Sequence, residues 1–224
     1  KYASPNSGDT VEVVERPQGG YSVVLVDGQS SGRGAKTSSV LVVRKVIGLL
    51  ADGVRDGAAA RAASDNLYAE RGGKVSATLN IISADLHSRT LLITRNNPNP
   101  AYLARGDELR VLNEESRPIG LYRDTRPVIT EVDLVAGMTI VAFTDGIVHA
   151  GSRTGDRLDV AEVLQDLLDA EEPSAQYLAD SLLDHALRLD QGRPVDDISV
   201  IVMRVLSRTG DEVRRMSVRL PVEF

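Results

Sequence analysis

Residues 21–50 read YSVVLVDGQSSGRGAKTSSVLVVRKVIGLL, and two kinds of apolar periodicity meet within them. The β-branched run over residues 21–26 predicts a buried strand, which ends at the acidic turn Asp27-Gly28. Apolar side chains then recur at helical spacing over residues 36–50, so this part predicts a helix. A strand, a polar loop rich in glycine and serine, and a helix therefore follow one another directly.

The rest of the chain shows the same two patterns in separate blocks. Residues 10–15 pair with 21–26 as a predicted hairpin, and between 76 and 141 short β-rich runs alternate with turn residues, which is typical of antiparallel sheet. Helical spacing returns later in the chain. The predicted strands are 10–15, 21–26, 77–84, 90–95, 101–105, 109–113, 128–132, 138–143, 198–203 and 212–222, and the predicted helices are 36–50, 56–69, 159–168 and 175–189.

Strands and helices thus occur in blocks without regular βαβ alternation, which favours an α+β fold. The pattern predicts two stacked antiparallel sheets with helices covering their outer faces. The 224 residues contain no internal repeat, low-complexity tract or linker, so we expect a single domain over residues 1–224. The first residue is Lys1 rather than Met and no leader follows it, so we expect a fragment of a longer protein.

Composition excludes several classes of function. The chain has 26 Lys and Arg against 32 Asp and Glu, and its net charge of −6 offers no positive field for nucleic acid. It contains no Cys, which excludes disulfides, a thiolate nucleophile and cysteine-bound zinc, and fits a cytoplasmic location. The most apolar stretch, residues 40–50, is interrupted by Arg44 and Lys45 and is far shorter than the ~20 residues of a membrane span. We therefore expect no nucleic-acid partner and no membrane contact.

Aspartates occur where strongly apolar β runs begin or end. Asp27 and Asp145 follow such runs and each precedes a glycine, Asp196 and Asp197 come just before another, and Asp9 precedes the first strand. One Asp-Gly after a strand is most often only a turn, but the repeated arrangement suggests that these carboxylates lie close together in the fold. Crowded carboxylates raise one another's proton affinity unless a hard cation compensates them, and oxygen-only ligands suit Mg²⁺ or Mn²⁺. The residues alone do not separate Asp196 from Asp197.

These motifs resemble those of a known family in their order and spacing. Ser7-Gly8-Asp9, Val26-Asp27-Gly28, Thr144-Asp145-Gly146 and Asp196-Asp197-Ile198-Ser199 are similar to the motifs of the metal-dependent type 2C (PPM) Ser/Thr protein phosphatases. The resemblance is to their bacterial branch, which includes the phosphatase domains of stage II sporulation protein E and of stress-response sigma-factor regulators. Residues 95–103, 105–107 and 117–121 are similar to framework segments of that branch.

The resemblance implies a four-layer α/β/β/α sandwich with a binuclear site for two Mn²⁺ or Mg²⁺ ions at one edge. By position, Asp27 would bridge both metals and the Gly28 carbonyl would bind the second. Asp145 and Asp196 would complete the first metal, and Asp9 would hold water ligands of the second. Asp27, Asp145 and Asp196 would then serve catalysis, in which a hydroxide bridging the metals attacks phosphorus.

The sequence also departs from the family. Gln29 stands where many eukaryotic members have a His proposed to protonate the leaving group. Those members also carry a phosphate-binding Arg upstream of the first Asp, whereas only residues 1–8 precede Asp9 here. Arg33 and Lys36 are alternative positive charges, although solvated cations at a helix end are the simpler interpretation. The three histidines, His87, His149 and His185, show no zinc spacing and are interpreted as structural.

The resemblance implies hydrolysis of phosphoserine or phosphothreonine on a bacterial regulatory protein of the anti-sigma-factor antagonist type. It also implies an upstream regulatory domain or partner acting on the helices 36–50 and 56–69. Two alternatives remain open at this stage. One is a catalytically weak module that binds a phosphoprotein, and the other is a metal-dependent hydrolase of small phosphoesters.

Overall fold

The computed structural model describes residues 6–169 and 173–207. In chain order the elements are β1 (Asp9–Glu15), β2 (Gly20–Gly28), α1 (Arg33–Ala51), α2 (Asp56–Arg71), β3 (Ala77–Asp85), β4 (Thr90–Asn96), β5 (Ala101–Arg105), β6 (Glu108–Leu112), β7 (Val128–Asp133), β8 (Thr139–Phe143), α3 (Asp145–His149), α4 (Val160–Leu168), α5 (Ala175–Leu189) and β9 (Val200–Arg204).

The strands form two antiparallel sheets stacked face to face. The first has five strands in the order β1-β2-β3-β4-β7, and the second has four in the order β6-β5-β8-β9. Helices α1 and α2 pack on the outer face of the first sheet, whereas α4 and α5 cover the second. This arrangement confirms the four-layer α/β/β/α sandwich.

The buried strand β2 explains why its sequence is continuously apolar. Val24 and Val26 pack under α1 and α2, whereas Leu25 lies in the core between the two sheets. Successive side chains of a strand point to opposite faces, and both faces of this sheet are covered. Both faces of the strand are therefore apolar at Val24, Leu25 and Val26, and the run shows no alternation of polar and apolar residues.

The structure differs from the sequence prediction at the starts of α1 and β9 and in the short helix α3. Helix α1 begins at Arg33 rather than at residue 36, because Gly32, with φ of 84°, turns the chain directly into the helix. Strand β9 begins at Val200 rather than at residue 198, because Ser199 already bonds to the side chain of Thr144. The five-residue helix α3 was not predicted, since it is too short to show a helical period. The predicted strand 212–222 lies outside the described residues.

Within the part of the chain that the structure describes, no helix is both long enough and apolar enough to cross a membrane.

A buried polar network joins the first hairpin to α2. The Nη1 atom of Arg16 donates to Asp56 Oδ1 at 2.9 Å, and Asp56 is only 2% exposed. The other carboxylate oxygen of Asp56 accepts a hydrogen bond from Ser83 Oγ, which in turn contacts Ser22 Oγ at 2.7 Å. The network ties the end of β1, the start of α2 and strands β2 and β3 together.

We expect Asp56→Ala to lower the free energy of unfolding by about 3 kcal/mol, because it leaves the Arg16 guanidinium without its carboxylate partner. Urea unfolding monitored by circular dichroism measures the change. The matched control is Asp52→Ala, since Asp52 is exposed at the end of α1 and its loss should change stability little. Equal stability of the two variants would contradict a structural role for the network.

Candidate active site

The candidate aspartates lie at the ends of strands of the two stacked sheets. Asp9 and Asp27 are paired opposite each other on β1 and β2 of the first sheet. Asp145 follows β8 in the second sheet, and Asp196 precedes β9, which pairs with β8. The hydroxyl of Thr144 donates to Asp9 Oδ2 at 3.0 Å and so connects the two sheets across 135 positions. The predicted site residues are therefore brought to one place.

Asp9 is held by two hydroxyl groups that the sequence analysis did not assign. Its Oδ2 accepts hydrogen bonds from Thr144 Oγ1 and, at 2.7 Å, from Ser199 Oγ. The Ser199 amide donates to Thr144 Oγ1 at 3.0 Å and orients that hydroxyl toward Asp9. Both residues belong to the motifs quoted above, and this membership was the only sequence signal that pointed to them. Thr144 and Ser199 fix one oxygen of a carboxylate that is 5% exposed.

Burial and mutual repulsion make the cluster a strong base. The pKa of Asp27 is raised to about 8, mainly by burial and then by the negative charges of Asp9 and Asp145, a hydrogen bond to Asp9 and the charge of Asp196. Burial also raises the pKa of Asp9. The pKa of Asp145 rises through burial and the charge of Asp196, and His149, whose Nδ1 lies 3.8 Å from Asp145 Oδ2, partly opposes this. The site therefore concentrates carboxylates whose mutual repulsion a cation would relieve.

Glycine follows both Asp27 and Asp145, because a second backbone segment passes directly beside each of these positions. A Cβ atom on Gly28 would lie 2.2 Å from the carbonyl oxygen of Ala35 in the first turn of α1. A Cβ atom on Gly146 would lie 2.2 Å from the carbonyl oxygen of Asp197. Neither glycine has a positive φ, so close approach rather than turn geometry requires them. The two Asp-Gly pairs are therefore packing contacts of the site and not simple turns.

The donor groups fit hard divalent cations, although they do not form a finished cage. Within the described residues no three His, Cys, Asp or Glu side chains are arranged to hold a metal ion as they stand. The candidate ligands are nevertheless all oxygens, and buried Asp9 Oδ1 accepts no hydrogen bond from a donor in the described residues. A cation would also relieve the repulsion that raises the pKa of Asp27. The donor chemistry of the site therefore fits a hard divalent cation.

Asp197 and Gln29 have structural contacts next to the cluster. Asp197 is 7% exposed, and its Oδ2 accepts a hydrogen bond from the Gly8 amide at 2.7 Å. This bond fastens the segment before β1 to the segment before β9. Gln29 Oε1 accepts from the Ser76 amide at 2.9 Å and so anchors the loop after Gly28. Both side chains act on the backbone that presents the aspartates.

Lys36 is not the solvated cation that the simpler interpretation of its position suggests. Its Nζ atom donates to the Asp9 carbonyl oxygen at 2.6 Å and to Thr10 Oγ1 at 3.1 Å. This contact places a positive charge on the backbone of Asp9 and ties α1 to β1. Arg33, in contrast, is exposed at the first position of α1.

The histidines occupy the places expected of structural residues. His87 lies in the exposed turn between β3 and β4. His185 lies on α5, where its Nδ1 contacts the Ser181 carbonyl oxygen at 2.7 Å. His149 closes α3 one turn after Asp145.

The segment after β4 supports the strand that carries Asp145. Asn97 Nδ2 donates to the Phe143 carbonyl oxygen at 3.4 Å, at the end of β8. Arg95 is fully buried, and its guanidinium donates to the Asn99 carbonyl at 3.0 Å and to the Glu114 carbonyl at 3.1 Å. Burial lowers the pKa of Arg95, which the nearby Glu114 carboxylate partly offsets. This framework holds the position of Phe143 and hence of Asp145.

The stacked sheets, their outer helices and the aspartate cluster define the PP2C phosphatase fold. The solved PP2C domain of SpoIIE from Bacillus subtilis, with a fragment of its regulatory domain, superposes with a TM-score of 0.78 at 22% identity and covers 92% of this chain and 60% of that one. The catalytic domain of the serine/threonine protein phosphatase PstP in complex with 2 manganese ions gives a TM-score of 0.66 at 20% identity, covering 91% and 93%.

The chain belongs to the family of stage II sporulation protein E (SpoIIE), whose model matches residues 17–206. The Bacillus subtilis stage II sporulation protein E is 22% identical to it over 199 residues, which are 89% of this chain. The chain spans only 24% of the length of that relative. The resemblance inferred from the motifs is therefore confirmed at the level of family and fold.

Proposed function

We propose that this chain is a metal-dependent phosphatase acting on phosphoserine or phosphothreonine in a protein. The observation that carries the proposal is the cluster of Asp9, Asp27, Asp145 and Asp196, in which burial and repulsion raise the pKa of Asp27 to about 8. Such a charge arrangement is unfavourable without a cation and becomes useful with one. Membership of the SpoIIE family supports the same conclusion.

In the proposed site Asp27, Asp145 and Asp196 would hold one Mn²⁺ or Mg²⁺ ion, and Asp27 would also serve a second. The Gly28 carbonyl and Asp9 serve the second. When bound, the two ions would activate a water molecule and offset the charge that develops on the phosphoryl oxygens. The protein itself holds Asp9 in place, through hydrogen bonds from Thr144 and Ser199 to its carboxylate and from Lys36 to its carbonyl oxygen.

The proposed substrate is a phosphorylated regulatory protein of the anti-sigma-factor antagonist type, and family membership supports it. The test compares three substrate classes, namely such a phosphoprotein, unrelated phosphoserine peptides and small phosphate esters, each with and without Mn²⁺. We expect Mn²⁺-dependent release of phosphate and the highest kcat/KM on the phosphoprotein. Binding without turnover would favour a phosphoprotein-binding module. A higher kcat/KM on small esters would favour a small-phosphoester hydrolase.

We expect chelation by EDTA to stop hydrolysis without unfolding the protein. Three apolar clusters, one under each helical layer and one between the sheets, hold the described fold together independently of the carboxylate edge. Far-UV circular dichroism and activity, recorded on the same sample before and after EDTA, measure both properties. Restored activity on adding excess Mn²⁺ is the control, and loss of the helical signal in EDTA would contradict the expectation.

We further propose that an upstream domain or partner regulates the site through α1 and α2. The loop from Gln29 to Gly32 joins the site strand to α1, and both Ser30 and Gly32 have positive φ angles, of 71° and 84°. Gly28 lies against the Ala35 carbonyl, so a shift of α1 would press directly on a proposed metal ligand. A conformation with a poorly formed site would lower the apparent metal affinity.

We expect Ile47→Ala, on the half-buried side of α1, to change the Mn²⁺ concentration for half-maximal activity by about threefold or more, since the helix transmits its position to Gly28. The control is Val163→Ala on α4, a similarly half-buried residue in the opposite helical layer. It should lower the melting temperature without altering the Mn²⁺ dependence. If both variants change only stability, α1 is a scaffold.

A further inference from the structure

A cavity lies beside the loop that leaves the aspartate site. It has a volume of about 520 Å³ and is bounded by the β2–α1 loop, the first turns of α1 and the segment around the end of α2. None of the described residues that line it is acidic, whereas Arg71 and Lys74 contribute positive charge. The cavity thus has the opposite electrostatic character to the neighbouring carboxylate cluster.

Two polar groups at this cavity have no hydrogen-bond partner among the described residues. Ser38 lines the cavity and is 3% exposed, and its hydroxyl has no hydrogen-bond partner among the described residues. Arg71 also lines the cavity, and its Nε atom is buried without a hydrogen bond in the described part of the chain. A buried donor without an acceptor is unfavourable, so the Nε atom of Arg71 is a reason to expect an acceptor from outside the chain. The Ser38 hydroxyl, which lines the same cavity, is free to bind that acceptor.

The N-terminus of α1 opens into the same cavity. Its N-cap residue, Gly32, supplies no side-chain hydrogen bond, and the first turn contains no acidic residue. Gly34 and Ala35, which belong to this first turn, line the cavity. The first amide groups of a helix lack intrahelical acceptors and carry partial positive charge, which favours an anion. The helix end, the Ser38 hydroxyl and the Arg71 guanidinium therefore line the cavity with hydrogen-bond donors.

We propose that this cavity binds a phosphate group. A tetrahedral oxyanion offers acceptors in several directions at once and carries the charge that Arg71 and Lys74 complement. The phosphate group belongs either to free inorganic phosphate or to a phosphorylated side chain of a protein. Bound there, it would connect the loop after Gly28 to the end of α2. This binding does not depend on hydrolysis at the carboxylates.

Titration of inorganic phosphate into the protein in EDTA, followed by calorimetry, tests the proposal without turnover. We expect Arg71→Gln and Ser38→Ala each to weaken binding, by about tenfold for the loss of the charged donor. The matched control is Arg61→Gln, because Arg61 is exposed on the same helix and does not line the cavity. Ser38→Ala is a conservative variant that keeps the test valid if Arg71→Gln fails to fold.

A second titration with a phosphoserine peptide, also in EDTA, identifies the source of the phosphate group. Binding of inorganic phosphate that is sensitive to both cavity variants indicates a free-ion site. Binding of the peptide alone, with the same sensitivity, indicates a site for a phosphorylated protein. No binding of either probe, or binding unchanged in Arg71→Gln and Ser38→Ala, would overturn the proposal. Because no hydrolysis is involved, these results are independent of whether the proposed phosphatase activity is found.

Discussion

Replacing Asp27 by Asn is expected to lower kcat/KM for phosphoprotein hydrolysis by about 10³-fold or more. Asp27 is the carboxylate that interacts with Asp9, Asp145 and Asp196 together, so its loss affects both proposed metal positions. Calorimetric titration with Mn²⁺ should show weaker binding in parallel. The control is Asp107→Asn, in the exposed turn between β5 and β6, which should keep full activity. Activity of Asp27→Asn close to that of the unmodified protein would refute the assigned site.

The same substitution is expected to stabilise the metal-free protein at pH 8. The pKa of Asp27 is about 8 in the folded state against a usual value of 3.8, so the folded state binds more protons between these values. The free energy of unfolding should therefore fall as the pH rises from about 4 to about 8. Asn does not titrate and should lose this contribution. Urea unfolding in EDTA at pH 5 and pH 8 measures the difference, and equal pH dependence of the two proteins would contradict it.

The second large effect is expected for Gly146→Ala, which should lower kcat/KM by about 10²-fold or more. The added methyl group would lie 2.2 Å from the Asp197 carbonyl oxygen, so one of the two backbone segments must move. Those segments carry Asp145 and Asp196, and a small displacement separates the two proposed ligands of one metal. The α1 and α2 layer lies on the other sheet, so most of the fold should persist.

The matched control is Gly48→Ala on α1. A Cβ atom at Gly48 meets no heavy atom within 4 Å, and alanine is the better helix former. This variant should be at least as stable as the unmodified protein and should retain its activity. Circular dichroism, melting temperature and Mn²⁺ titration compare the two variants directly. If Gly146→Ala binds Mn²⁺ and hydrolyses substrate normally, the contact with Asp197 does not position the site.

The sequence predicted the helices and strands in which one face is buried over several turns or residues. The predicted helix 175–189 agrees with α5, and the run over residues 21–26 lies within β2. Elements that depend on contacts with distant residues differed. Helix α3 contains Gly146, which packs against the Asp197 backbone, and β9 begins after the hydrogen bond between Ser199 and Thr144. A local window of sequence does not contain these contacts.

The sequence, together with its family resemblance, determined the four candidate aspartates, the oxygen-only character of their chemistry and the layered fold class. Only the tertiary structure decided that Thr144 and Ser199 hold Asp9, that Asp197 fastens Gly8, and that Lys36 binds the Asp9 backbone. The physical reason is that burial leaves a periodic pattern in neighbouring residues, whereas a hydrogen bond between residues 135 or 190 positions apart depends on how two sheets stack. The donor-lined cavity between α1 and α2 has the same origin, since its charge and its unpaired groups come together only when the two helices pack on the sheet.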